Sequence, residues 1–429
     1  MMFEKYDAYK DSGVEWLRDV PNHWEILRIK SLSLVRRGAS PRPIDAPKYF
    51  SENGEYAWVR IADVTASNHY LTETKEKLSK LGSSYSVKIL PGQLFLSIAG
   101  SVGKPIISRI KCCIHDGFVY FPFLKIDNEF LYRVFECGTP FIGLGKHGTQ
   151  LNLNTETVGN IKIALPPQNE QLAIVNFLDR KALEIDQIIE IKEQQIALLN
   201  ERKQIVIQKA VTQGLDPNVP MRDSGEEWIG EIPVHWEIRA NRTIFKERNE
   251  QGKESLPLLS VSIHSGVSNE EIPEEDNIRG RVKIEDKSKY ILVKKGDIVF
   301  NMMRAWQGGI GAVSLDGMVS PAYIVAKPND FINSKFFEYQ YRCPEFIQQM
   351  DCYSKGITDF RKRLYWDGFK QLLTVVPPLD EQLKIVEQIK EIEQQTNFAI
   401  QIKNQQIEKL KEYKTTLIND AVTGKIKVA

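Results

Sequence analysis

Apolar residues recur at alternating steps of three and four residues along two long stretches of the chain. Such steps place side chains on one face of an α-helix, as at the a and d positions of a coiled coil. The seam members are Ile185, Ile189, Ile196, Leu199 and Val206 in the first stretch, and Ile400, Ile407, Leu410 and Leu417 in the second. Glycine and proline are absent from Glu170 to Thr212, and a helix of that length spans roughly 60 Å. The pattern predicts two long helices.

Two such seams in one chain most simply pack against each other. The intervening domain permits either direction, and we favour antiparallel packing, which puts the domains at opposite ends of the pair. The alternative is that each helix pairs with another protein. Lysines fall in the same register at positions 192, 203, 403 and 414. They would cost stability in a two-stranded core, but they could fix the register or face a third helix.

Short apolar segments outside the helices are typical of β-strands. Residues 56–61, 93–98 and 117–121 show this pattern before the first helix, and residues 257–263 and 297–302 show it before the second. Pro91-Gly92 precedes one of these segments and Lys295-Gly296 precedes another, as expected for turns that lead into strands. The segments predict two domains of mixed α/β structure.

The sequence contains an internal repeat. Residues 11–16 recur as residues 223–228, and residues 20–26 recur as residues 232–238. Both copies of the second segment contain a His-Trp dipeptide. A second block starts with Pro-Pro-x-x-Glu-Gln at Pro166 and recurs at Pro377. The stretches between these blocks, roughly residues 30–165 and 240–376, have nearly equal lengths but differ almost everywhere. Repeated blocks that enclose two different stretches indicate one scaffold that presents two different recognition domains.

These patterns together predict an α+β fold with a pseudo-two-fold internal repeat. Two mixed α/β domains are joined by two long helices that pack as an antiparallel coiled coil. The predicted segments are a leading segment with the first variable domain at residues 1–165, a spacer helix at 166–213, a leading segment with the second variable domain at 214–376, and a spacer helix at 377–429.

Composition excludes several classes of protein. Hydrophobic residues make up 42% of the chain and charged residues 26%, as in ordinary globular proteins. No apolar run approaches the roughly 20 residues that span a bilayer, and the polar N-terminus lacks a signal-peptide core. We therefore expect a cytoplasmic protein. The five cysteines form no Cys-x-x-Cys pair and the six histidines do not cluster near them, so we expect neither a metal nor another cofactor.

The net charge of +1 does not by itself indicate nucleic-acid binding, but charge is locally segregated. Residues 279–304 hold eight bases against three acids, and residues 355–366 interleave bases with aromatics. Such groups can hold phosphates while a few side chains reach base edges; the alternative is an ordinary solvated face. The candidate DNA-binding residues are Ser101, Lys104, Lys146 and His147 in the first domain, and Arg304, Gln307, Lys355, Arg361, Lys362 and Arg363 in the second.

The loop around Lys104 superficially matches a phosphate-binding loop. That motif needs a glycine five residues before its second glycine, where this chain has Ile98, and Pro105 follows the lysine. We therefore reject nucleotide binding and expect a tight turn that holds a basic side chain outward.

The order of these features resembles the specificity subunit of type I restriction–modification enzymes, and the resemblance covers essentially the whole chain. It rests on the two Pro-x-His-Trp segments, at Pro21 and Pro233, and on the two Pro-Pro-x-x-Glu-Gln helix starts. It implies two target-recognition domains that each read one half of a split, asymmetric DNA sequence. It also implies helices that space those domains and bind two methyltransferase subunits, which restriction subunits carrying a helicase and nuclease then join.

Two other classes of function compete with this interpretation. A DNA-modifying enzyme needs a cofactor loop and an Asn/Asp-Pro-Pro-Tyr/Phe signature, and the chain has neither. We therefore expect no catalytic site. A coiled-coil scaffold without DNA contact would explain the helices but not two large inserts rich in basic and aromatic residues.

Overall fold

A computed structural model describes residues 3–144, 153–253, 255–263, 266–269, 289–356 and 361–428. The chain divides into two compact units. Unit 1 comprises residues 1–193 and 404–429, and unit 2 comprises residues 194–403.

The strands of unit 1 are short, between two and four residues. They are β1 Tyr9–Asp11, β2 Asp19–Pro21, β3 Glu25–Arg28, β4 Arg36–Arg37, β5 Tyr56–Val59, β6 Tyr70–Leu71, β7 Glu76–Leu78, β8 Val87–Ile89, β9 Leu94–Ser97, β10 Pro105–Ser108, β11 Cys112–Ile114, β12 Phe118–Tyr120 and β13 Lys162–Leu165. The helices that begin in this unit are α1 Ile29–Leu32, α2 Ile61–Ala66, α3 Lys80–Ser84, α4 Asn128–Glu136, α5 Thr155–Asn160 and α6 Gln168–Gln213.

Two sheets form the body of unit 1. One has the strand order β4-β12-β9-β10-β6 and the other β7-β5-β11-β8. The first packs on the larger apolar core, which includes Leu96, Val119, Phe130 and Phe135 together with Leu178 of α6. Burying side chains of this size supplies the main favourable free energy of such a fold.

Unit 2 also combines short strands with helices. Its strands are β14 Met221–Asp223, β15 Glu231–Pro233, β16 Glu237–Ala240, β17 Phe245–Glu247, β18 Leu259–Ser262, β19 Gly266–Asn269, β20 Ile291–Val293, β21 Ile298–Asn301, β22 Ile310–Ala312, β23 Gly317–Val319, β24 Tyr323–Pro328 and β25 Leu373–Val376. Its helices are α7 Asn241–Ile244, α8 Ser334–Tyr341, α9 Pro344–Cys352, α10 Trp366–Phe369 and α11 Leu379–Val422, the last of which ends in unit 1.

The predicted strands are confirmed, within a few residues, as β5, β9, β12, β18 and β21. Among the described residues of unit 2, β17-β24-β21-β22 form one sheet and β20 pairs with β23. Mixed helices and strands confirm the α+β class. The pairing of β3 with β13 in unit 1 has its counterpart in the pairing of β16 with β25 in unit 2. The repeat in sequence is thus accompanied by equivalent strand pairs.

The two predicted long helices are confirmed as α6 and α11. The predicted seam residues are buried or half-buried on both helices. Ile185 and Ile407 are each 5% exposed and Leu417 is 4% exposed, and the other predicted seam residues, Ile189, Ile196, Leu199, Val206, Ile400 and Leu410, are half-buried. A helix that buries one narrow apolar face in this way needs a partner along that face.

Contacts between α6 and α11 run in opposite directions. Within unit 1, Lys414 Nζ lies 2.8 Å from both carboxylate oxygens of Asp186. In the same unit, Lys192 Nζ donates to Gln406 Oε1 at 2.7 Å, so a later residue of α6 meets an earlier residue of α11. Lys192 and Lys414 are accommodated in the seam because their long side chains carry the ammonium to polar groups of the facing helix.

Candidate nucleic-acid interface

The turn between β21 and β22 in unit 2 is tightly constrained by its own backbone. Arg304 N donates to Asn301 O at 2.9 Å, and Arg304 O accepts from the amides of Gln307 and Gly309, each at 2.9 Å. Gly308 has a left-handed φ of 84°. A Cβ on Gly309 would stand 2.8 Å from Arg304 O, so both glycines are required for this turn. The backbone that carries Arg304 is therefore held from both sides.

Three side chains of this turn interact at the surface. The guanidinium of Arg304 donates through Nη1 to Gln307 Oε1 at 2.8 Å. The indole of Trp306, on a short 3₁₀ helix over Ala305–Gln307, donates through Nε1 to Met303 O at 3.1 Å. Arg304 itself is exposed. The turn therefore presents the Arg304 guanidinium and the Gln307 amide as a hydrogen-bonded pair.

A second basic segment, some 50 residues later, joins this turn. Leu364 N donates to Met302 O at 2.9 Å, and the backbones of Lys355 and Arg363 bond each other at 2.9 Å in both directions. Lys362 Nζ lies 5.2 Å from the centre of the Trp306 ring and 2.7 Å from Asp351 Oδ1. Lys355 and Arg361 are exposed, and Lys362 and Arg363 are half-buried. The structure thus brings together the candidate residues that the sequence placed in this domain.

The equivalent turn of unit 1, between β9 and β10, has a different arrangement. The sequence led us to expect that Lys104 points outward, and this expectation was wrong. Its Nζ donates to Thr65 O at 3.0 Å and Ser67 O at 2.5 Å, where it satisfies carbonyls at the end of α2. Burial lowers the pKa of this lysine. Ser101 Oγ lies 2.6 Å from Thr65 Oγ1. The role of Ser101 and Lys104 toward DNA stays a prediction.

Part of the predicted interface lies outside the described residues. This applies to Lys146 and His147 in the first domain, and to the basic residues between positions 279 and 287 in the second.

A column of stacked planar groups in unit 1 was not predicted from the sequence. The Arg109 guanidinium carbon lies 3.8 Å from the centre of the Tyr70 ring. Tyr70 stacks on His69 at 4.0 Å, and His69 stacks on Tyr132 at 3.8 Å. Glu129 accepts hydrogen bonds from His69 and Tyr70. The sequence does not reveal this column, because Arg109 meets Tyr70 and His69 through the pairing of β6 with β10.

The repeated motifs meet at the start of each long helix. In unit 1 the Glu170 carboxylate accepts from Tyr6 Oη at 3.0 Å, Trp24 Nε1 at 3.0 Å and His23 Nε2 at 2.7 Å. Burial raises the pKa of Glu170, but these hydrogen bonds outweigh it, so the pKa lies below its usual value. In unit 2, Glu381 accepts from His235 Nε2 at 2.8 Å and from Trp236 Nε1 at 2.5 Å. The His-Trp dipeptide therefore fastens each leading segment to its helix.

The glutamine that follows each glutamate has a separate role. Gln171 Nε2 donates to Pro166 O at 2.9 Å, and its Oε1 accepts from Asp127 N, the N-cap of α4. Gln382 Nε2 donates to Pro377 O at 2.8 Å, and its Oε1 accepts from Asn333 N, the N-cap of α8. The Pro-Pro-x-x-Glu-Gln motif thus joins the start of each long helix to the domain before it.

Within the described ranges, no group of three or more His, Cys, Asp or Glu residues could hold a metal ion. In that same part of the chain, no helix is long and apolar enough to cross a membrane. The cysteines are free thiols; Cys352 is exposed and the others are buried. Burial raises the pKa of the Cys112 thiol to about 12, a property of a packed core thiol rather than of a reactive one.

Comparison with known proteins shows which family and which solved structures this chain is similar to. The family model of the type I restriction modification DNA specificity domain matches residues 21–201. The type I restriction enzyme MjaVIII specificity subunit of Methanocaldococcus jannaschii is 25% identical over 459 aligned residues, covering all of this chain and 98% of the relative. The putative MjaX specificity subunit of the same organism is 23% identical and covers 100% of this chain and 99% of the relative.

Solved structures show the same fold. A chain from a structure of complex assembly and conformational transition of the type I R-M system matches with a TM-score of 0.63 at 15% identity, covering 94% of this chain and 98% of that chain. The HsdS subunit from Thermoanaerobacter tengcongensis matches with a TM-score of 0.52, also at 15% identity, covering 95% of this chain and 98% of that one.

These comparisons confirm the resemblance drawn from the sequence. Residues 21–201 match the type I restriction modification DNA specificity domain, and the chain is similar over its whole length to specificity subunits of type I restriction enzymes.

Proposed function

We propose that this chain reads a split DNA target, with each variable domain binding one half-site. The proposal for the second domain rests on the meeting of two separate basic segments at the turn around Arg304. The exposed aromatic residues Tyr353 and Tyr365 flank the second of these segments in the chain. Basic side chains hold phosphates, and planar side chains supply contacts to bases and sugars. The candidate contacts are Arg304, Gln307, Lys355, Arg361, Lys362 and Arg363 in this domain, and Ser101, Lys104, Lys146 and His147 in the first.

We further propose that the spacer helices set the distance between the half-sites. Opposite running contacts, such as Lys414 to Asp186 in unit 1 and Lys203 to Asn397 in unit 2, support an antiparallel coiled coil. A stiff rod fixes a separation better than a flexible linker does, and two linked domains bind as one bivalent unit. Because the two domains differ in sequence, the target has two unlike halves.

The chain itself supplies recognition, and partner subunits supply the chemistry. We propose that two methyltransferase subunits dock on the repeated frame, which a two-fold-like scaffold offers twice, and that restriction subunits join that complex. The exposed apolar side chains of α6 outside its seam, Ile188, Ile191, Leu198 and Ile205, support a docking role, since such residues mark protein interfaces when they lie along one helix face. The chain is proposed to contribute no catalytic site and to need no cofactor.

A domain exchange tests the proposed half-site reading. Residues 30–165 are replaced by the corresponding domain of another specificity subunit, and methylated sites are mapped in cells that also express the methyltransferase. One half of the target should change while the other half stays the same. An unchanged target, from a complex that still methylates DNA, would contradict the assignment of this domain to recognition.

A further inference from the structure

The Arg304–Gln307 pair is held both by its backbone and by a bond between its two side chains. Phosphate contacts tolerate a mobile cation, whereas a base edge is read by donors in fixed positions. Arg304 is held at its backbone by the Asn301, Gln307 and Gly309 hydrogen bonds and at its side chain by Gln307 Oε1. Lys362 pairs with the carboxylate of Asp351 and lies against the Trp306 ring, whereas the side-chain partner of Arg304 is a neutral amide that leaves its charge uncompensated. The held pair therefore has the properties of a reading element rather than of an anchor.

The chemistry of the pair selects among the bases. Gln307 has its carbonyl oxygen directed to the guanidinium, so its NH₂ group and the remaining N–H groups of Arg304 form an edge made mainly of donors. In the major groove guanine offers two acceptors, N7 and O6, whereas adenine and cytosine each offer an amino donor. The usual pairing of glutamine with adenine needs the amide oxygen to accept from N6, and here that oxygen already accepts from a cation.

On the basis of the proposed function, we propose that Arg304, positioned by Gln307, reads a guanine in the half-site bound by the second variable domain. Gln307 acts on the same base or on its neighbour as a donor. The half-site read by residues 240–376 therefore contains at least one G·C pair, and discrimination at that position depends on the forked guanidinium.

The test measures binding of the chain assembled with its methyltransferase to fluorescein-labelled duplexes that carry the mapped wild-type target. Changing the guanine read by Arg304 to another base should weaken wild-type binding about 5- to 150-fold, the range of a good bidentate contact. The Arg304→Ala variant should bind the guanine and changed duplexes nearly equally. Arg304→Lys keeps the charge but loses the fork, so it should reduce discrimination while the salt dependence of binding stays close to that of the wild type.

Base analogues separate this contact from a general loss of affinity. Replacing the guanine by 7-deazaguanine removes N7, and this should weaken the wild type but have no further effect on Arg304→Ala. Inosine retains N7 and O6 and should bind the wild type as guanine does. The matched protein control is Arg242→Ala, because Arg242 Nη1 makes the same type of bond, at 3.0 Å to Gln371 Oε1, outside the turn and the basic segment.

Three results would overturn the proposal in distinguishable ways. A half-site without a G·C pair rules out guanine reading but leaves recognition by this domain intact. An equal loss of affinity for all sequences in Arg304→Ala, with a shallower salt dependence, would make Arg304 a phosphate contact. If the wild-type complex shows no sequence preference at all, the proposed function itself fails.

Discussion

Trp24 Nε1 donates a hydrogen bond of 3.0 Å to Glu170 Oε2, joining residues that lie 146 positions apart at the point where a variable domain meets its long helix. The same bond recurs between Trp236 and Glu381. Both residues of each pair belong to motifs that are repeated in the sequence, so the repeat preserves a connection rather than two independent features. We expect the position of each variable domain on its long helix to depend on this connection.

The first prediction concerns the stability of this connection. Glu170→Gln should lower the free energy of unfolding by about 1.5–3 kcal/mol, because a partly buried charged acceptor is replaced by an amide whose NH₂ faces other donors. Glu381→Gln should cost less, since the Glu381 side chain is 34% exposed and that of Glu170 is 13% exposed. Urea unfolding followed by tryptophan fluorescence measures both changes.

The matched control for these variants is Glu184→Gln. Glu184 lies on α6 and pairs with Lys181 Nζ at 2.6 Å on the surface, and exposed pairs contribute about 0–1 kcal/mol. If Glu170→Gln cost no more than this control, the cluster would not be a significant source of stability.

The second prediction is a pH dependence. The pKa of Glu170 lies below its ordinary value of 4.5 in the folded protein, so the unfolded chain takes up its proton at higher pH than the folded one. The carboxylate therefore contributes its full stability above pH about 5, and this contribution declines as pH falls through the folded pKa. The difference in unfolding free energy between wild type and Glu170→Gln should shrink in urea titrations from pH 6 toward pH 3. A difference that stays constant over this range would contradict the lowered pKa.

The long helices and strands were predictable because their signals are local. The alternation of three and four residues is sufficient to place Ile185 or Ile407 on a buried helix face. This inference holds for any apolar partner of that face. The partners of Glu170 were not predictable in this way, since they come from Tyr6, His23 and Trp24 and depend on how the whole of unit 1 folds. The shared repetition of His-Trp and Glu-Gln was the available signal, and it indicated a common frame without indicating contact.

The basic residues show the same limit. Counting charges identified both Arg304 and Lys104, but the sequence could not distinguish an exposed guanidinium from an ammonium turned back onto the carbonyls of Thr65 and Ser67. That difference follows from the position of α2 beside the turn of unit 1. Similarly, Lys362 lies over Trp306 where a backbone hydrogen bond joins Leu364 to Met302, and the sequence does not show that these two segments meet.

The third prediction uses the repeat as its own control. Arg18 has a left-handed φ of 56°, and the equivalent residue of the second repeat is Gly230, with a φ of 71°. A left-handed backbone costs a residue with a side chain about 1–2 kcal/mol, and glycine avoids this cost. Part of that gain is lost because glycine has more conformational freedom in the unfolded chain. Arg18→Gly should therefore raise the free energy of unfolding by about 0.5–1 kcal/mol.

The reverse change, Gly230→Ala, should lower the free energy of unfolding by about 1 kcal/mol. No atom lies within 4 Å of a Cβ built on Gly230, so this loss would reflect backbone strain and not a steric clash. Arg18→Ala keeps the strain and should be nearly neutral. Stabilisation by Arg18→Ala equal to that by Arg18→Gly would contradict an origin in the backbone.

The last prediction concerns assembly with the methyltransferase. Ile188 and Ile191 lie three residues apart on α6, are 43% and 52% exposed, and do not belong to the seam. Ile188→Glu combined with Ile191→Glu should leave the unfolding free energy within about 0.5 kcal/mol, as expected for surface substitutions. It should weaken assembly with the methyltransferase subunit at least about tenfold, because burying two unpaired carboxylates in an interface is costly.

The control for this change is Gln187→Glu, which adds a charge to the same exposed turn of α6 without replacing an apolar side chain. Light scattering coupled to size-exclusion chromatography, over a series of subunit concentrations, compares the wild type, the double variant and the control. Equal weakening by the control would indicate a general charge effect rather than loss of apolar contact. Unchanged assembly in the double variant would place the docking surface on another part of the frame, with the leading segments around His23 and His235 as the next surfaces to substitute.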